Sequence, residues 1–371
     1  MKKYRSTFLF LLVSFILVLS SCSTTQEMKQ MPMEKEAVVY NQIEASIVAA
    51  DKYGNLETDL MATKLMEEGY EYGDMVNIMI NGVTYQAPIV STYSDVDVGN
   101  FLIRIKADKV YFAINYGNCL KKTGASEGTK IVVSMADKGS YLLEYKTRHL
   151  TKSEVREDYS SDEVFANFRT VKIGDIKSDM IFRSCNPALA DARAPYAEAL
   201  AKKNNIKTIV NLADSKDSLM ENIDTIVWYR EMYENGKIIL LDMDVDYTSD
   251  DFGQKLAKGF IFMSENEGPY LVHCNEGKDR AGFAAVVLEA LMNATLEEIE
   301  TDYMLSYANY YNVEKGTMQY DYIADTPYNM LKNIAGDIEV TNANLSMIAE
   351  KYLMKIGLTS KQIMNLKNNL K

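Results

Sequence analysis

Hydrophobic and polar positions follow one pattern up to about residue 150 and another after it. In residues 43–150 short apolar runs alternate with polar positions, as in the run 76–80 (Val-Asn-Ile-Met-Ile), which precedes Asn81-Gly82. Such alternation is typical of strands with one buried face, and Asn-Gly is a common hairpin turn. The pattern predicts a small closed β-barrel or a sandwich. Further strands are predicted at residues 101–105, 110–114, 131–135 and 141–145.

After residue 151, short apolar segments alternate with helical ones. Buried strands are predicted at residues 208–212, 237–241 and 269–273, and a helix at 249–266. Strands that alternate with helices predict an α/β domain, in which a mainly parallel sheet is flanked by helices. From residue 281 onward the pattern is mostly helical.

The first 22 residues have the pattern of a bacterial lipoprotein signal peptide. Three cations precede an apolar run at 8–19, which is too short to span a membrane. Residues 19–22 (Leu-Ser-Ser-Cys) resemble the lipobox, in which the cysteine is lipidated. We therefore expect an extracytoplasmic protein, anchored to the membrane through lipid on Cys22, with residues 23–42 as a polar tether. The alternative is an ordinary signal peptide with an incidental cysteine.

The composition argues against several classes of protein. The 371 residues include 40 Lys and Arg against 52 Asp and Glu, which gives a formal net charge of −12. A nucleic-acid binder needs a basic surface, so we expect no nucleic-acid partner. Four cysteines are too few for a disulfide scaffold, and two histidines, His149 and His273, are too few for a histidine-rich metal centre.

The chemically informative segment follows the last predicted strand. Residues 273–282 read His-Cys-Asn-Glu-Gly-Lys-Asp-Arg-Ala-Gly. The five residues between Cys274 and Arg280 can form a loop whose N–H groups surround a dianion, beside the positive end of the following helix. Gly277 permits a backbone conformation that a Cβ would penalise, and Arg280 offers a planar fork suited to phosphate. Such a loop would bind phosphate through Asn275, Glu276, Gly277, Lys278, Asp279 and Arg280.

Cys274 would lie at the floor of this positive pocket, which favours its thiolate form. A thiolate there is a phosphoryl-accepting nucleophile, and the loop would stabilise the charge of the transition state. The plainer alternative is a buried core cysteine that precedes an incidental arginine. His273 is interpreted as structural, since it can hydrogen-bond the loop backbone.

These residues resemble the protein tyrosine phosphatase superfamily, in particular its bacterial tyrosine/lipid phosphatase family, whose loop reads His-Cys-x-x-Gly-Lys-Asp-Arg. Phe182-Arg183-Ser184 resembles the strand that leads into that family's site, and residues 302–306 resemble its helix after the loop. The resemblance covers about residues 162–371. It implies that residues 151–371 form a cysteine-dependent phosphatase, which hydrolyses a phosphate monoester through a cysteinyl-phosphate intermediate without metal or cofactor.

The general acid remains open among several carboxylates. In this superfamily the acid is an Asp about thirty residues before the nucleophile, and Asp242, Asp244 and Asp246 fall in that window. Asp246 is the first choice, because it follows the predicted strand, whereas Asp242 and Asp244 alternate within the apolar run. Asp279 is the competitor, since the bacterial family has an Asp there, although it could instead be a structural acceptor that ties the loop down.

The substrate also remains open. Lys278 would favour a second phosphate, as in the phosphoinositide phosphatases that the loop resembles, whereas Glu276 would repel highly phosphorylated ligands. Phosphotyrosine protein, phosphoinositide lipid and soluble inositol phosphate are all candidates.

The rival hypotheses are a catalytically silent phosphate-binding lipoprotein and a rhodanese-like sulfur transferase, the latter disfavoured by the loop residues. A protective disulfide between Cys185, in the entry segment, and Cys274 is conceivable.

Residues 43–150 resemble the C-terminal β-barrel domain of the S-adenosylmethionine hydroxide adenosyltransferase family. The resemblance is carried by three segments, 51–56 (Asp-Lys-Tyr-Gly-Asn-Leu), 92–96 (Thr-Tyr-Ser-Asp-Val) and 114–118 (Ile-Asn-Tyr-Gly-Asn). It does not extend to that family's large N-terminal domain, which holds most of the nucleoside site. We therefore interpret the barrel as a reused binding or spacer module.

Overall fold

The computed structural model describes residues 40–371. The predicted signal peptide, its lipobox Cys22 and most of the predicted tether lie outside the described residues. Within residues 40–371, no helix is both long and apolar enough to cross a membrane. The described chain forms a β-barrel followed by a helix-rich α/β region, which confirms the predicted fold class.

Seven short strands close the barrel. They are β1 (Ile43–Ala50), β2 (Leu56–Met61), β3 (Met75–Ile80), β4 (Val83–Val90), β5 (Phe101–Lys106), β6 (Lys109–Ile114) and β7 (Lys130–Asp137). Their order around the barrel is β1-β2-β6-β5-β4-β3-β7, and only β4 and β5 are parallel neighbours. The predicted hairpin joins β3 and β4, where Asn81 and Gly82 both adopt positive φ. The alternate β3 residues Val76, Ile78 and Ile80 are buried inside.

One strand predicted in this region is wrong. Residues 141–145 belong instead to a helix, α3 (Leu142–Arg148), which follows the short helices α1 (Ala62–Glu67) and α2 (Cys119–Thr123). Glu144 pairs with Arg148 one turn later at 2.6 Å, and α3 packs against α11 (Met318–Ala335). A mostly apolar segment of five residues fits a strand or a helical turn equally well, so its contacts with the rest of the fold decide its conformation.

The C-terminal region is built on a five-stranded sheet of order β11-β10-β12-β9-β8. Its strands are β8 (Arg169–Thr170), β9 (Ile181–Ser184), β10 (Thr208–Asn211), β11 (Ile238–Leu240) and β12 (Tyr270–His273). All are parallel except β8, which is antiparallel to β9. The four parallel strands therefore end at one edge, where loops can gather functional groups.

Helices cover both faces of this sheet. Val272 belongs to one hydrophobic core, with the helices at residues 250–265, 279–291, 345–356 and 360–370, whereas Leu271 belongs to the other, with the helices at residues 194–203 and 227–234. Adjacent residues of a strand point to opposite faces, so both faces must be covered. The helices are α4 (Asp162–Phe165), α5 (Ala194–Lys203), α6 (Lys216–Met220), α7 (Val227–Glu234), α8 (Asp250–Glu265), α9 (Asp279–Leu291), α10 (Leu296–Tyr311), α11, α12 (Leu345–Ile356) and α13 (Ser360–Leu370).

Candidate active site

The loop singled out by the sequence joins the central strand to a buried helix. β12 ends at His273, and α9 begins at Asp279, as the strand–loop–helix pattern predicts. Cys274 is only 2% exposed. Residues 281–291 of α9 are all buried, so the helix that carries Arg280 is fixed within the core.

The loop carbonyls are held by the surrounding scaffold. Those of residues 275–277 accept hydrogen bonds from the Asn186 N–H (3.1 Å), Asn167 Nδ2 (3.0 Å), the Tyr310 hydroxyl (2.8 Å) and Arg183 Nη2 (3.1 Å). Within residues 40–371, the N–H groups of residues 275–278 donate to no protein acceptor. A loop with engaged carbonyls and free N–H groups is the backbone arrangement that binds anions.

Gly277 is required by two independent features of the loop. Its φ is +68°, a left-handed conformation that non-glycine residues rarely adopt. A Cβ at this position would also lie 2.2 Å from the Ser184 carbonyl oxygen. The loop therefore packs directly on the end of β9, with no room for a side chain.

His273 is held by a buried hydrogen-bond network. Its Nε2 lies 2.9 Å from the hydroxyl of Tyr229, which accepts a hydrogen bond from Asn211 Nδ2 (2.9 Å). The buried Nδ1 has no hydrogen-bond partner among the described residues, so the contact with Tyr229 is the side-chain hydrogen bond that orients the ring. Burial lowers the pKa of His273 to about 4, so the ring is neutral near pH 7.

The family resemblance outside the loop is carried by residues 182–184 and 302–306, and these two segments meet beneath the loop. Arg183 of β9 and Arg169 of β8 both pair with the carboxylate of Asp302 on α10. Burial would raise the pKa of Asp302, but the two arginines outweigh it and hold that pKa well below its usual range. Nearby, burial and the charge of Asp302 raise the pKa of Glu289, so Glu289 is protonated.

Arg280 faces the segment that follows β11. Its Nη1 donates to the Met243 carbonyl at 2.8 Å, and its buried Nε has no hydrogen-bond partner among the described residues. Its side chain lines a cavity of about 410 Å³. The cavity is also lined by Asp242, Met243, Asp244, Val245, Asp251 and Lys255. An unsatisfied buried donor of this kind is available to an anion.

The candidate acids differ in their relation to the Arg280 cavity. Asp242 and Asp244 are not in a strand, because β11 ends at Leu240 and Asp242 adopts a left-handed φ of +45°. Both line the Arg280 cavity, whereas Asp246 is not among the residues that line it. Asp279 begins α9, with its side chain 52% exposed.

Asp246 accepts two hydrogen bonds from Thr248 through Oδ1, from the backbone N–H (3.0 Å) and from the hydroxyl (2.6 Å). The Thr248 hydroxyl, followed by its N–H, lowers the pKa of Asp246. A carboxyl group with a lowered pKa releases its proton more readily and holds it less well near pH 7.

Two lysines flank Glu276 at the rim of the loop. Its carboxylate lies 2.5 Å from Lys152 Nζ and 3.4 Å from Lys278 Nζ. Lys278 also donates to the Tyr311 hydroxyl (3.2 Å), and its Nζ lies 5.3 Å from the centroid of the Tyr307 ring. Burial opposes ionisation of Glu276, but Lys278 and Lys152 outweigh it and lower its pKa.

Sequence reasoning missed several residues that contact this loop, among them Lys152, Asn167 and Tyr310. They lie 124, 109 and 34 residues from Glu276. No local motif marks them, since their relation to the loop exists only in the folded chain. Cys185 is buried beside the loop, and Cys119, Cys185 and Cys274 are all free thiols. Among residues 40–371, no group of three or more His, Cys, Asp and Glu could hold a metal ion.

The barrel has a cavity of its own, of about 800 Å³. All three segments that carry the barrel resemblance contribute to its wall, through Tyr53 and Asn55, through residues 92–94 and through residues 114–118. Tyr53 and Tyr116 are strongly exposed at this surface. The residues that carry the barrel resemblance therefore line one cavity.

Comparison with known proteins identifies both parts of the chain. Residues 165–371 match the tyrosine phosphatase family, and residues 45–132 match the SAM hydroxide adenosyltransferase C-terminal domain. The comparison with curated proteins gives no match. The first match therefore contains the whole loop and more than half of the chain.

Three solved structures are similar to parts of the chain. An uncharacterized conserved protein from Thermotoga maritima is 22% identical over 26% of this chain and 38% of its own, with a TM-score of 0.25. A conserved hypothetical protein from Thermus thermophilus is 22% identical over 28% and 41%, with a TM-score of 0.20. The core catalytic domain of the PP-IP phosphatase SIW14 from S. cerevisiae, solved with citrate, is 20% identical over 45% and 90%, with a TM-score of 0.28.

The chain thus spans about two-fifths of the length of the first two solved structures. The resemblances inferred from the sequence are confirmed for both the loop-bearing region and the barrel. With its family match spanning more than half of its length, and with a barrel that matches the SAM hydroxide adenosyltransferase C-terminal domain, this chain belongs to the tyrosine phosphatase family.

Proposed function

We propose that the protein hydrolyses phosphate monoesters through a cysteinyl-phosphate intermediate on Cys274. The observation that carries this proposal is the loop backbone, whose N–H groups at 275–278 are free of protein acceptors among the described residues while its carbonyls are engaged. A phosphate bound by those groups lies next to the sulfur of Cys274. The oxygens of the transferring phosphoryl group would be stabilised by fixed donors that need no reorganisation.

The reaction has two steps. The Cys274 thiolate attacks phosphorus, the S–P bond forms as the P–O bond to the leaving group breaks, and a carboxylic acid protonates the leaving oxygen. Water then attacks the same phosphorus, the carboxylate takes its proton, and inorganic phosphate leaves with regeneration of the thiolate. Arg280 supports both steps, since its buried Nε is open to a phosphate oxygen.

The acid comes from one of four carboxylates. Asp246 is the choice made from the sequence, and Asp279 is adjacent to Arg280 in the loop. Asp242 and Asp244 are both supported by their place in the wall of the Arg280 cavity. Replacement of each by Asn separates the four, because only loss of the true acid makes the rate depend steeply on the leaving group.

The proposed substrates are phosphotyrosine protein, phosphoinositide lipid or soluble inositol phosphate. The two cations at the rim, Lys152 and Lys278, support substrates that carry more negative charge than one phosphate. The alternative is a silent phosphate-binding lipoprotein, which would use the same N–H groups but would not need the thiol.

We also propose that the protein is extracytoplasmic and lipid-anchored through Cys22. The support is the order of cations, short apolar run, small residues and cysteine at positions 2–22. Metabolic labelling with a radioactive fatty acid tests this proposal. Label should enter the wild-type chain and not Cys22→Ser, and equal labelling of both would contradict the anchor.

The enzyme proposal is tested by phosphate release from the purified full-length chain in detergent, beside Cys274→Ser. Substrates are para-nitrophenyl phosphate, a phosphotyrosine peptide, phosphoinositide vesicles and inositol hexakisphosphate, all with EDTA. We expect activity that survives the chelator and is lost in the variant. A wild type that releases no phosphate, while both forms bind these compounds, would establish the silent receptor instead.

A further inference from the structure

The segment that joins the barrel to the phosphatase domain lies against the rim of the phosphate loop. It runs from the end of α3 at Arg148 to the start of α4 at Asp162, before the first residue of the family match, Phe165. Lys152 lies within it, with its side chain 20% exposed. Its Nζ is 2.5 Å from the Glu276 carboxylate and 5.0 Å from the centroid of the Tyr310 ring.

The position of Lys152 is fixed by a buried cation next to it. Arg193 is 1% exposed and donates to the Ser153 carbonyl and to the Glu154 carboxylate. The same guanidinium donates to the Tyr159 hydroxyl at 3.1 Å. Because the residues that follow it in the chain are bound to this cation, the Lys152 ammonium approaches the loop from a defined direction.

Glu276 lies between two ammonium groups, one from the joining segment and one from the loop. Two lysines around one carboxylate form a position suited to an anion, and in the structure an internal carboxylate fills it. The Glu276 side chain is 31% exposed, so it can rotate out to solvent. A phosphate dianion carries more charge than a carboxylate and would interact more strongly with both cations.

We infer that Lys152 is a specificity-determining residue, which with Lys278 binds a second phosphate of the substrate in exchange for the Glu276 carboxylate. The substrate class is a phosphate monoester with another phosphate next to the scissile one, as on neighbouring carbons of an inositol ring. Such rings occur as lipid headgroups and as free inositol phosphates, which share this chemistry. The inference rests on the proposed phosphatase function and deepens it.

The test compares the selectivity of full-length variants, defined as kcat/KM on an inositol bisphosphate with vicinal phosphates divided by kcat/KM on para-nitrophenyl phosphate. We expect Lys152→Met to lower this ratio about tenfold, the loss of one charge-assisted contact. Lys152→Arg should retain most of the ratio, and Glu276→Gln should raise it, because the internal competitor is removed. Lys146→Met, an exposed lysine of α3, is the matched control and should leave the ratio unchanged.

An unchanged selectivity ratio in Lys152→Met would overturn the inference. If that variant loses activity on both substrates equally, Lys152 only supports the loop. The soluble bisphosphate and the matching phosphoinositide in phosphatidylcholine vesicles are assayed in parallel. If Lys152→Met lowers the selectivity ratio for only one of them, that compound shows whether the substrate is a free inositol phosphate or a lipid headgroup.

A separate measurement keeps this inference distinct from the proposed function. Calorimetry measures binding of the soluble bisphosphate to Cys274→Ser, which needs no turnover. The double variant Cys274→Ser/Lys152→Met should bind the bisphosphate about tenfold more weakly. If the wild type is inactive on every substrate but this loss is seen, the enzyme proposal fails and the second-phosphate position stands. Equal affinities with and without Lys152 would remove the position whatever the activity.

Discussion

The guanidinium of Arg183 donates to the backbone carbonyl of Gly277 over 3.1 Å, across 94 residues of sequence. Through this contact a buried side chain of β9 supports the floor of the phosphate loop. Arg183 is in turn paired with Asp302, which also binds Arg169. One carboxylate is thus the shared ion-pair partner of two buried cations, and through Arg183 it supports the loop.

Asp302→Asn should therefore strongly destabilise the protein. It leaves Arg169 and Arg183 buried without a counter-ion, and breaking a buried pair by removal of one partner typically costs about 3–5 kcal/mol. Urea titration followed by circular dichroism measures the free energy of unfolding. Glu300→Gln, on a more exposed part of the same helix, is the control, and equal stabilities of the two variants would contradict this role of Asp302.

His273 makes the stability depend on pH in the acid range. Its folded pKa of about 4 lies below its unfolded value, so between about pH 6.5 and pH 4 the unfolded chain binds a proton that the folded chain does not. The free energy of unfolding should fall as pH drops through this window, by roughly 3 kcal/mol in total. His273→Gln should flatten that slope, and an unaltered slope would show that other groups produce it.

Gly277→Ala should abolish the catalytic geometry of the loop. The new Cβ would meet the Ser184 carbonyl oxygen at 2.2 Å, so the loop must move, and a displacement of about 1 Å can cost about 100-fold in rate. Gly236→Ala is the matched control, because Gly236 has a similar φ of +66° and no atom within 4 Å of its Cβ position. Gly236→Ala should lose about 1 kcal/mol of stability from its left-handed φ alone, and Gly277→Ala should lose more because of the added overlap. Phosphatase assays should separate them, and full activity in Gly277→Ala would refute the steric argument.

Replacement of the general acid should lower the rate by about 100-fold or more on a substrate with a poor leaving group. The Asn variants of Asp242, Asp244, Asp246 and Asp279 are compared on phenyl phosphate and on para-nitrophenyl phosphate, whose leaving group needs little protonation. The acid is the residue whose variant loses much more activity on phenyl phosphate. That variant should also lose the basic limb of the pH–rate profile, and four variants with equal ratios on the two substrates would exclude all four residues.

Sequence reasoning predicted best the features that a local pattern of consecutive residues determines. The alternation before Asn81-Gly82 predicts the β3–β4 hairpin, and Cys274 to Arg280 is a local motif whose strand, loop and helix follow one another. The strand predicted at 141–145 failed because its apolar residues suit either conformation, and packing against α11 decided. Asn167, Tyr310 and Lys152 reach the loop only through tertiary folding, which hydrophobic periodicity does not encode.

The burial of Arg193 determines where this enzyme can be divided. The family match begins at residue 165, yet the partners of the Arg193 guanidinium at Ser153, Glu154 and Tyr159 all precede that point. A phosphatase fragment that starts at residue 165 would expose this cation and the rings it packs on, and it would also lack Lys152. We therefore expect the smallest stable fragment to begin before residue 153, upstream of the family match, since a truncation designed from that match alone would remove the partners of Arg193.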